Sequence, residues 1–365
     1  MVKLYTPGHG PYTDTLIMYG ITSALLHREY DFKVEGVEGT YIIEADAKLE
    51  EVAEAVSDYV QNIKDGAIHV LVDRLRLIQK QSRNRLLIAM NKIADETKAL
   101  EYLKELLFPG HGVSEGRGAK GVILWLSLSP FAGKFFTGSF KYNVLEYRVC
   151  LQCVAMASTG LISTFMPLDV RRRGKRTGKV YVTVLAFTGH VNSDVLKSLK
   201  EGLGEERFLR EYDIVARFSE NIPLRVLPFI LLTILSGKTI LKLAKSKASW
   251  KTYTVAYDVK KATQIRGFSE LPIDAVLSGL SILHMRNVLD ALRTFVMGVV
   301  KGIGSDVADP YILESLVRYF NTRNVSDLYQ FVRAAKSNLE GKLGDVVGKR
   351  SLGVKLCREL AHLAI

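Results

Sequence analysis

Hydrophobic positions in the first seventy residues change between a repeat of two and a repeat of three to four. The repeat of two predicts strands, and the wider repeat predicts helices with one buried stripe. Glu38-Gly39 separates two alternating runs, as in a hairpin turn. The predicted elements are a strand at 2–5, a helix from Thr13 or Asp14 to about His27, strands at 32–37 and 40–44, and a helix at 48–63. This part is expected to be mixed α/β.

The pattern is less regular between residues 71 and 261. It predicts helices at 81–108 and 142–158, and strands at 122–128, 180–187 and 253–259. Twenty uncharged residues at 149–168 precede an arginine run and could form a membrane span with a positive flank. Seven of them dilute the apolar content and favour a buried helix and strand: Gln152, Ser158, Thr159, Gly160, Ser163, Thr164 and Pro167.

After Glu270 the pattern becomes almost purely helical. Apolar residues recur at i, i+3, i+4 and i+7 from Ile273 and again from Ile312. Helices are expected to start at Pro272, at Asn287, at Asp309 with Pro310, and at Asn324 or Ser326. The predicted fold class is α+β, with a mixed α/β N-terminal and central region and a C-terminal helical bundle. The predicted division is an acidic-to-basic mixed region at 1–165, a basic region with strands and a loop at 166–264, and the bundle at 265–365.

The composition excludes a disordered chain and a disulfide framework. The chain has 365 residues, 48% of them hydrophobic, which is enough for two or three compact units. It has three cysteines, of which only Cys150 and Cys153 are close together. The N-terminus lacks the apolar run and cleavage site of a signal peptide. We therefore expect a cytoplasmic protein.

Charge is distributed unevenly along the chain. Residues 1–70 carry 5 Lys and Arg against 12 Asp and Glu, whereas residues 71–261 carry 32 against 16. The net charges are −7 and +16, and residues 262–365 add +3. A strongly basic segment beside an acidic one creates a local positive potential that favours a polyanion. Nucleic acid is therefore the first partner to consider.

The most basic segment lies just before the strand predicted at 180–187. It holds six cations in nine residues with two glycines: Arg171, Arg172, Arg173, Lys175, Arg176 and Lys179. Such a loop or hairpin tip contacts phosphates through its charge and can reach base edges through planar arginine side chains. A solvated charge run without function is the alternative, but six mutually repelling cations favour an anionic partner.

Two further sets of cations have helical spacing. Arg76, Lys80 and Arg83 repeat at i, i+4 and i+7, and so do Lys238, Lys242 and Lys245. The second set continues into Lys247 and Lys251. Three aromatic residues lie in the same segment: Trp250, Tyr253 and Tyr257. These rings could stack on unpaired bases, although alternation in a strand favours a buried face for the two tyrosines.

Catalytic motifs are weak. Ser236-Gly237-Lys238-Thr239 lacks the first glycine of a phosphate-binding loop, and the glycine motif at 116–121 precedes a strand instead of following one. Both patterns favour turns and caps. His27-Arg28-Glu29 with Cys150 and Cys153 resembles fragments of a zinc deaminase signature, but more than a hundred residues separate them. Buried thiols are favoured over zinc, so no metal and no cofactor are expected.

Three histidines follow a glycine. His9 and His111 each lie in the sequence Pro-Gly-His-Gly, and His190 follows Gly189. Exposed loop imidazoles could act as general acids or bind a metal. Without a recognisable carboxylate pair, turn chemistry is the favoured interpretation.

The opening of the chain resembles a known family. Lys3-Leu4-Tyr5-Thr6-Pro7 is followed by Tyr12 and by a helix with Met18-Tyr19-Gly20-Ile21 and Ala24-Leu25. This opening resembles the start of the large subunit of archaeal type I-A CRISPR interference (Cascade) complexes. Chain length, an α/β front half and a helical C-terminal part are compatible with that family.

The resemblance implies a non-catalytic subunit of an RNA-guided surveillance complex in antiviral defence. Such a subunit contacts target DNA near the protospacer-adjacent motif and helps hold the displaced strand, while guide RNA is an indirect partner. Backbone, small and helicase-nuclease subunits would be its neighbours, and no membrane is involved. The alternatives are a metal-dependent nuclease or nucleotide-processing enzyme that uses the glycine-flanked histidines, and a peripheral membrane protein bound through the polybasic loop.

Overall fold

The computed structural model describes residues 1–111, 114–115, 121–130, 147–172, 175–203, 213–215, 222–301, 310–339 and 350–363. Among these residues, strands and helices are mixed through the first three quarters of the chain, and helices alone follow Ile273. This confirms the α+β class and the helical C-terminal part.

The N-terminal elements agree with the hydrophobic pattern. They are β1 (Val2–Tyr5), α1 (Pro11–His27), β2 (Phe32–Val37), β3 (Thr40–Ala45) and α2 (Leu49–Ile68), which continues into a π-helical turn at His69–Arg74. Next come a 3₁₀ turn at Lys80–Ser82, then α3 (Arg83–Ile93), α4 (Glu96–Glu105), β4 (Ser114–Glu115), β5 (Val122–Ile123) and β6 (Tyr147–Val149).

The remaining elements form the centre and the C-terminal part. The centre contains α5 (Leu151–Thr164), β7 (Phe165–Arg172), β8 (Lys175–Asn192), α6 (Ser193–Leu203), β9 (Asp213–Val215), α7 (Leu227–Ile234), α8 (Gly237–Lys245), β10 (Lys247–Asp258) and β11 (Gln264–Pro272). The C-terminal helices are α9 (Asp274–Met285), α10 (Leu289–Lys301), α11 (Pro310–Thr322), α12 (Val325–Leu339) and α13 (Arg350–Ala361).

One mixed sheet runs through the first three quarters of the chain. Its strand order is β1-β3-β2-β8-β10-β11, and β7 pairs with β8 and with the short parallel strand β9. Along one edge, β8 binds β7 through residues 175–184 and β2 through residues 189–192. The other edge of β8 pairs with the whole length of β10. The three-part division of the chain stays a prediction, since strands from all three ranges join this sheet.

Helices α1 and α5 cross in close contact. A side chain at Gly160 would overlap the backbone of Leu16, and one at Gly20 would overlap the backbone of Met156. Glycine at both positions lets the two helix backbones touch, in a region where nearly every residue is buried. The contact fixes the start of α5 against the loop that precedes α1.

Several predicted boundaries are wrong. The single helix expected at 81–108 is two helices, because Asp95 accepts a hydrogen bond of 3.0 Å from the backbone nitrogen of Lys98 and caps α4. The strand expected at 122–128 ends at Ile123, where turns follow. The helix expected at 142–158 begins only at Leu151, after β6; residues 142–146 lie outside the described part.

The C-terminal helices start close to where the sequence places them. Pro310 is the first residue of α11, and Asn324 accepts a hydrogen bond of 2.9 Å from the nitrogen of Ser326 at the start of α12. Helix α9 begins at Asp274, two residues later than expected, because Pro272 ends β11. Ring contacts between Phe229 and Phe320 and between Phe295 and Phe331 tie this part together.

No single helix among the described residues is both long and apolar enough to cross a membrane. Residues 224–234 and 237–245 satisfy the length and composition criteria only as a pair, and they meet at 112°. The uncharged segment at 149–168 forms the buried helix α5 and the start of β7, which confirms that prediction.

Candidate nucleic-acid interface

The arginine-rich segment is the end of a β-hairpin. Backbone register places Arg171 opposite Arg176 and Arg172 opposite Lys175. The predicted hairpin tip is confirmed, whereas Arg173 lies outside the described residues. The backbone register therefore brings four basic residues together on the two paired strands.

A second basic turn lies beside this hairpin. Register pairs Asp258 with Lys179, and the Val259 nitrogen donates a 2.8 Å hydrogen bond to the carbonyl oxygen of Gly178. Lys260 follows immediately, and its side chain lies over Gly178, where a Cβ would meet it. The turn between β10 and β11 therefore brings Lys260 and the adjacent Lys261 to the same end of the sheet as the arginine-rich segment.

A third basic segment, the loop after the π-helical turn, reaches the same place. The Thr263 hydroxyl donates a 2.9 Å hydrogen bond to the carbonyl oxygen of Arg76. A groove of about 410 Å³ lies between this loop and the turn that joins β10 to β11. It is lined by Val72, Arg76, Ile78, Gln79, Lys80, Gln81, Val259, Lys260, Lys261, Ala262 and Thr263. No carboxylate occurs among these lining residues. We call Arg76, Lys80, Lys260 and Lys261, together with the paired residues Arg171, Arg172, Lys175 and Arg176 and with Lys179, the hairpin-end patch.

The first set of helically spaced cations does not form a helical stripe. Arg76 adopts a left-handed conformation with φ of 57°, Lys80 starts a 3₁₀ turn, and Arg83 begins α3. The Arg83 guanidinium lies 2.5 Å from the carboxylate of Asp73, which compensates its charge. The positive φ at Arg76 breaks the helical spacing on which the prediction rested.

The second set does lie on one helix. Ser236 caps α8 by accepting a 3.0 Å hydrogen bond from the Thr239 nitrogen, so the motif at 236–239 is a helix cap, as expected. Lys238, Lys242, Lys245 and Lys247 line a groove of about 900 Å³ together with Lys33, which the sequence did not suggest. We call this groove, with its five lysines, the lysine groove. Three carboxylates, Glu35, Glu44 and Asp194, also line it and reduce its positive potential.

The two basic regions lie at opposite ends of the β8–β10 pair. Lys247 pairs with His190 at one end, and Asp258 pairs with Lys179 at the other. Eleven residue steps along β10 correspond to roughly 35 Å at about 3.3 Å per residue. One nucleic acid that touched both would span about one turn of B-form duplex.

The residues between the two regions do not extend the interface. The Lys251 ammonium lies 2.8 Å from Glu270 and 5.2 Å from the centre of the Tyr253 ring, so its charge is compensated. Trp250, Tyr253 and Tyr257 are each at most 1% exposed. These rings belong to the core and are not available to stack on bases.

The glycine-flanked histidines separate into two places. His9 and His111 are buried and lie together beside Cys150 and Cys153, whereas His190 is exposed and lies 3.8 Å from Glu35. The expectation of exposed imidazoles is therefore wrong for the first two. Positive φ angles at Gly8, Gly10 and Gly110 confirm the expectation of turn chemistry there, whereas Gly189 lies within strand β8, so that expectation is wrong for His190.

The deaminase-like pattern is not assembled. His27 contacts Asn62 and Tyr59, while the two cysteines contact His9 and His111. Residues 116–120 of the glycine motif lie outside the described part of the chain.

Comparison with known proteins identifies the family of this chain. The model for the CRISPR-associated protein family Cas_Csa4 matches residues 2–349, nearly the whole chain. The protein belongs to this family of CRISPR-associated proteins, and its partners are other components of a CRISPR system. No curated protein matches it.

Proposed function

We propose that this protein is the large subunit of an archaeal type I-A CRISPR interference complex, without catalytic activity of its own. It contacts target DNA near the protospacer-adjacent motif and helps to hold the displaced strand. Membership in a CRISPR-associated family and the resemblance of the opening residues support this proposal. The observation that carries it is the hairpin-end patch, where two basic segments line a groove without a described carboxylate and the hairpin of β7 and β8 ends beside one of them.

The hairpin-end patch suits the DNA backbone better than base edges. Lysines hold phosphates as point charges, and arginines pair with them through two parallel hydrogen bonds. Such contacts position DNA without reading its sequence, which the guide RNA supplies by base pairing. The lysine groove, with its mixed charges, is proposed as a weaker second contact for the same DNA.

The acidic N-terminal residues are proposed to face other proteins. Residues 1–70 carry a net charge of −7, which repels a nucleic acid and suits a basic neighbour such as a backbone, small or helicase-nuclease subunit. Guide RNA would then be held mainly by those neighbours and be contacted only indirectly.

The burial of the histidines disfavours the enzymatic alternative. A general acid, or the metal ion that a catalytic histidine binds, must be accessible to substrate, yet His9 and His111 are 6% and 8% exposed. His190, the third candidate, lies near Glu35 in the lysine groove, apart from the other two.

The test uses the assembled complex with its guide RNA. Lys260→Glu with Lys261→Glu should weaken binding to matched duplex about tenfold or more and reduce opening of the displaced strand, measured by permanganate reactivity. Lys92→Glu with Lys104→Glu is the matched control, because both are exposed lysines on helices α3 and α4, outside the two basic regions.

Equal losses in both double variants, or none in either, would exclude the hairpin-end patch as the DNA contact. Cleavage of DNA by the isolated chain with a divalent metal, lost on substitution of His190, would favour the enzyme instead.

A further inference from the structure

Four ligand-type side chains from distant parts of the chain meet in one buried place. The Nε2 atom of His9 lies 3.2 Å from Cys153 Sγ, and Nε2 of His111 lies 3.3 Å from Cys150 Sγ. Ligand atoms of His111, Cys150 and Cys153 all lie within 4.8 Å of one another. The rings of His9 and His111 are 6.3 Å apart.

The spacing of His111, Cys150 and Cys153 is close to that of a zinc site, and His9 contacts Cys153 from outside this set of three. Zinc binds sulfur at about 2.3 Å and nitrogen at about 2.0–2.1 Å, so the ligand atoms of a tetrahedral site lie roughly 3.3–3.8 Å apart. The observed nitrogen-to-sulfur distances of 3.2 and 3.3 Å differ from this by a few tenths of an ångström at most. Two thiolates and two imidazoles are a ligand set typical of structural zinc.

We propose that His9, His111, Cys150 and Cys153 bind one structural zinc ion. The two Pro-Gly-His-Gly loops supply the imidazoles, and the start of helix α5 supplies the sulfurs. With four protein ligands the site is closed and leaves no position for a substrate. The zinc ion links the loop before α1 and the segment after α4 to the start of α5. This proposal is independent of the proposed DNA contact.

The fold prepares each ligand for this role. The contact between α1 and α5 at Gly20 and Gly160 places Cys153 beside His9. The Gly8 nitrogen donates a 2.9 Å hydrogen bond to the carboxylate of Asp14, which fixes the first histidine loop on α1. Cys150 Sγ accepts a 3.2 Å hydrogen bond from the Cys153 nitrogen, the arrangement in which a sulfur at a helix N-terminus carries negative charge.

An outer carboxylate orients His111. Its Nδ1 atom lies 2.8 Å from Glu105 Oε2, and this contact directs Nε2 towards the sulfurs. Metal-binding histidines commonly give their second nitrogen to a carboxylate in this way. The Tyr102 hydroxyl lies 3.5 Å from Cys153 Sγ and closes another side of the cluster.

Contacts and burial shift the pKa values of all four groups. Hydrogen bonds with Cys153 and His111 lower the pKa of Cys150, and burial lowers that of His9. Burial raises the pKa of Cys153, and the hydrogen bond with Cys150 raises that of His111.

The test measures metal content and coordination in the full-length protein. Purified chain, reconstituted with zinc and then desalted, should hold one zinc per chain by mass spectrometry. The cobalt-substituted protein should show the intense visible absorption of a tetrahedral site and a charge-transfer band from thiolate to cobalt. Cys150→Ser, Cys153→Ser and His9→Ala should each reduce bound zinc to background, whereas Cys357→Ser and His190→Ala should leave it unchanged.

A gain-of-ligand variant separates loss of metal from loss of fold. His111→Cys keeps four ligands with three sulfurs, so it should retain one zinc and increase the charge-transfer absorption about 1.5-fold. Wild-type protein that holds no zinc after reconstitution would overturn the proposal. So would a disulfide between Cys150 and Cys153 in freshly purified protein, or zinc binding that persists in all the ligand variants.

Discussion

The close contact between α1 and α5 can be tested by its effect on the stability of the protein. In Gly160→Ala, the new Cβ would overlap the Leu16 carbonyl oxygen and lie 2.7 Å from its carbon and 2.8 Å from the nitrogen of Gly20. All three are backbone atoms of α1, so no side-chain rotation relieves the overlap. The helices must separate, although 14 of the 17 residues of α1 are buried.

Overpacking of a well-packed core costs about 1–3 kcal/mol and more when backbone has to move. We therefore expect Gly160→Ala to lower the free energy of unfolding by about 3 kcal/mol or more. For a chain of this length that corresponds to a fall of about 4 °C in Tm. The separation also moves Cys153 away from His9, so zinc should bind more weakly to this variant than to the wild type.

Gly66→Ala is the matched control, because it makes the same chemical change within a helix. Gly66 lies in α2, and no atom comes within 4 Å of its new Cβ. Alanine there should stabilise the protein by about 0.4–1 kcal/mol, because it restricts the unfolded chain. Urea denaturation monitored by circular dichroism, with thermal melts, measures both variants. A Gly160→Ala protein within 1 kcal/mol of the wild type would refute the inferred contact.

Three further predictions concern the basic regions and the zinc site. Lys260→Gln with Lys261→Gln should reduce the slope of log affinity against log salt concentration by about 1.8. The loss of affinity for duplex between about 50 and 200 mM salt should then be about 12-fold smaller than in the wild type. An unchanged slope, measured by fluorescence anisotropy, would exclude both contacts. Lys251→Gln should leave that slope unchanged, since its charge is already compensated by an acidic neighbour, and a fall of one unit would contradict this. Glu105→Gln should weaken zinc binding about 10–100-fold in a chelator competition, whereas Glu101→Gln should not, and equal affinities would show that the outer carboxylate has no orienting role.

Local patterns predicted the N-terminal elements well. Alternation on both sides of Glu38-Gly39 is sufficient to specify the hairpin of β2 and β3, because register follows from the turn. The stripe on α2 and the starts of α11 and α12 follow in the same way from spacing and caps. Each of these features depends on residues within about one turn of one another.

The errors arise where distant residues decide the structure. Arg76 adopts a left-handed conformation beside Thr263, so helical spacing among nearby cations was no guide to their positions. His9 and His111 are separated by about a hundred residues, and only the fold shows that they meet at Cys153. The repeated Pro-Gly-His-Gly sequence and the Cys-x-x-Cys spacing were the available signals, but each alone is more often a turn or a pair of buried thiols.

Strand β2 is synthesised long before its partner strand β8. Val34 lies opposite Val191, which leaves the ribosome 157 residues later. At about 5–20 residues per second, the hairpin of β2 and β3 waits roughly 8–30 seconds with one edge unpaired. An open edge invites pairing with another nascent chain, so the short length of β2 and the alternating charges of Lys33 and Glu35 act as protection during that interval.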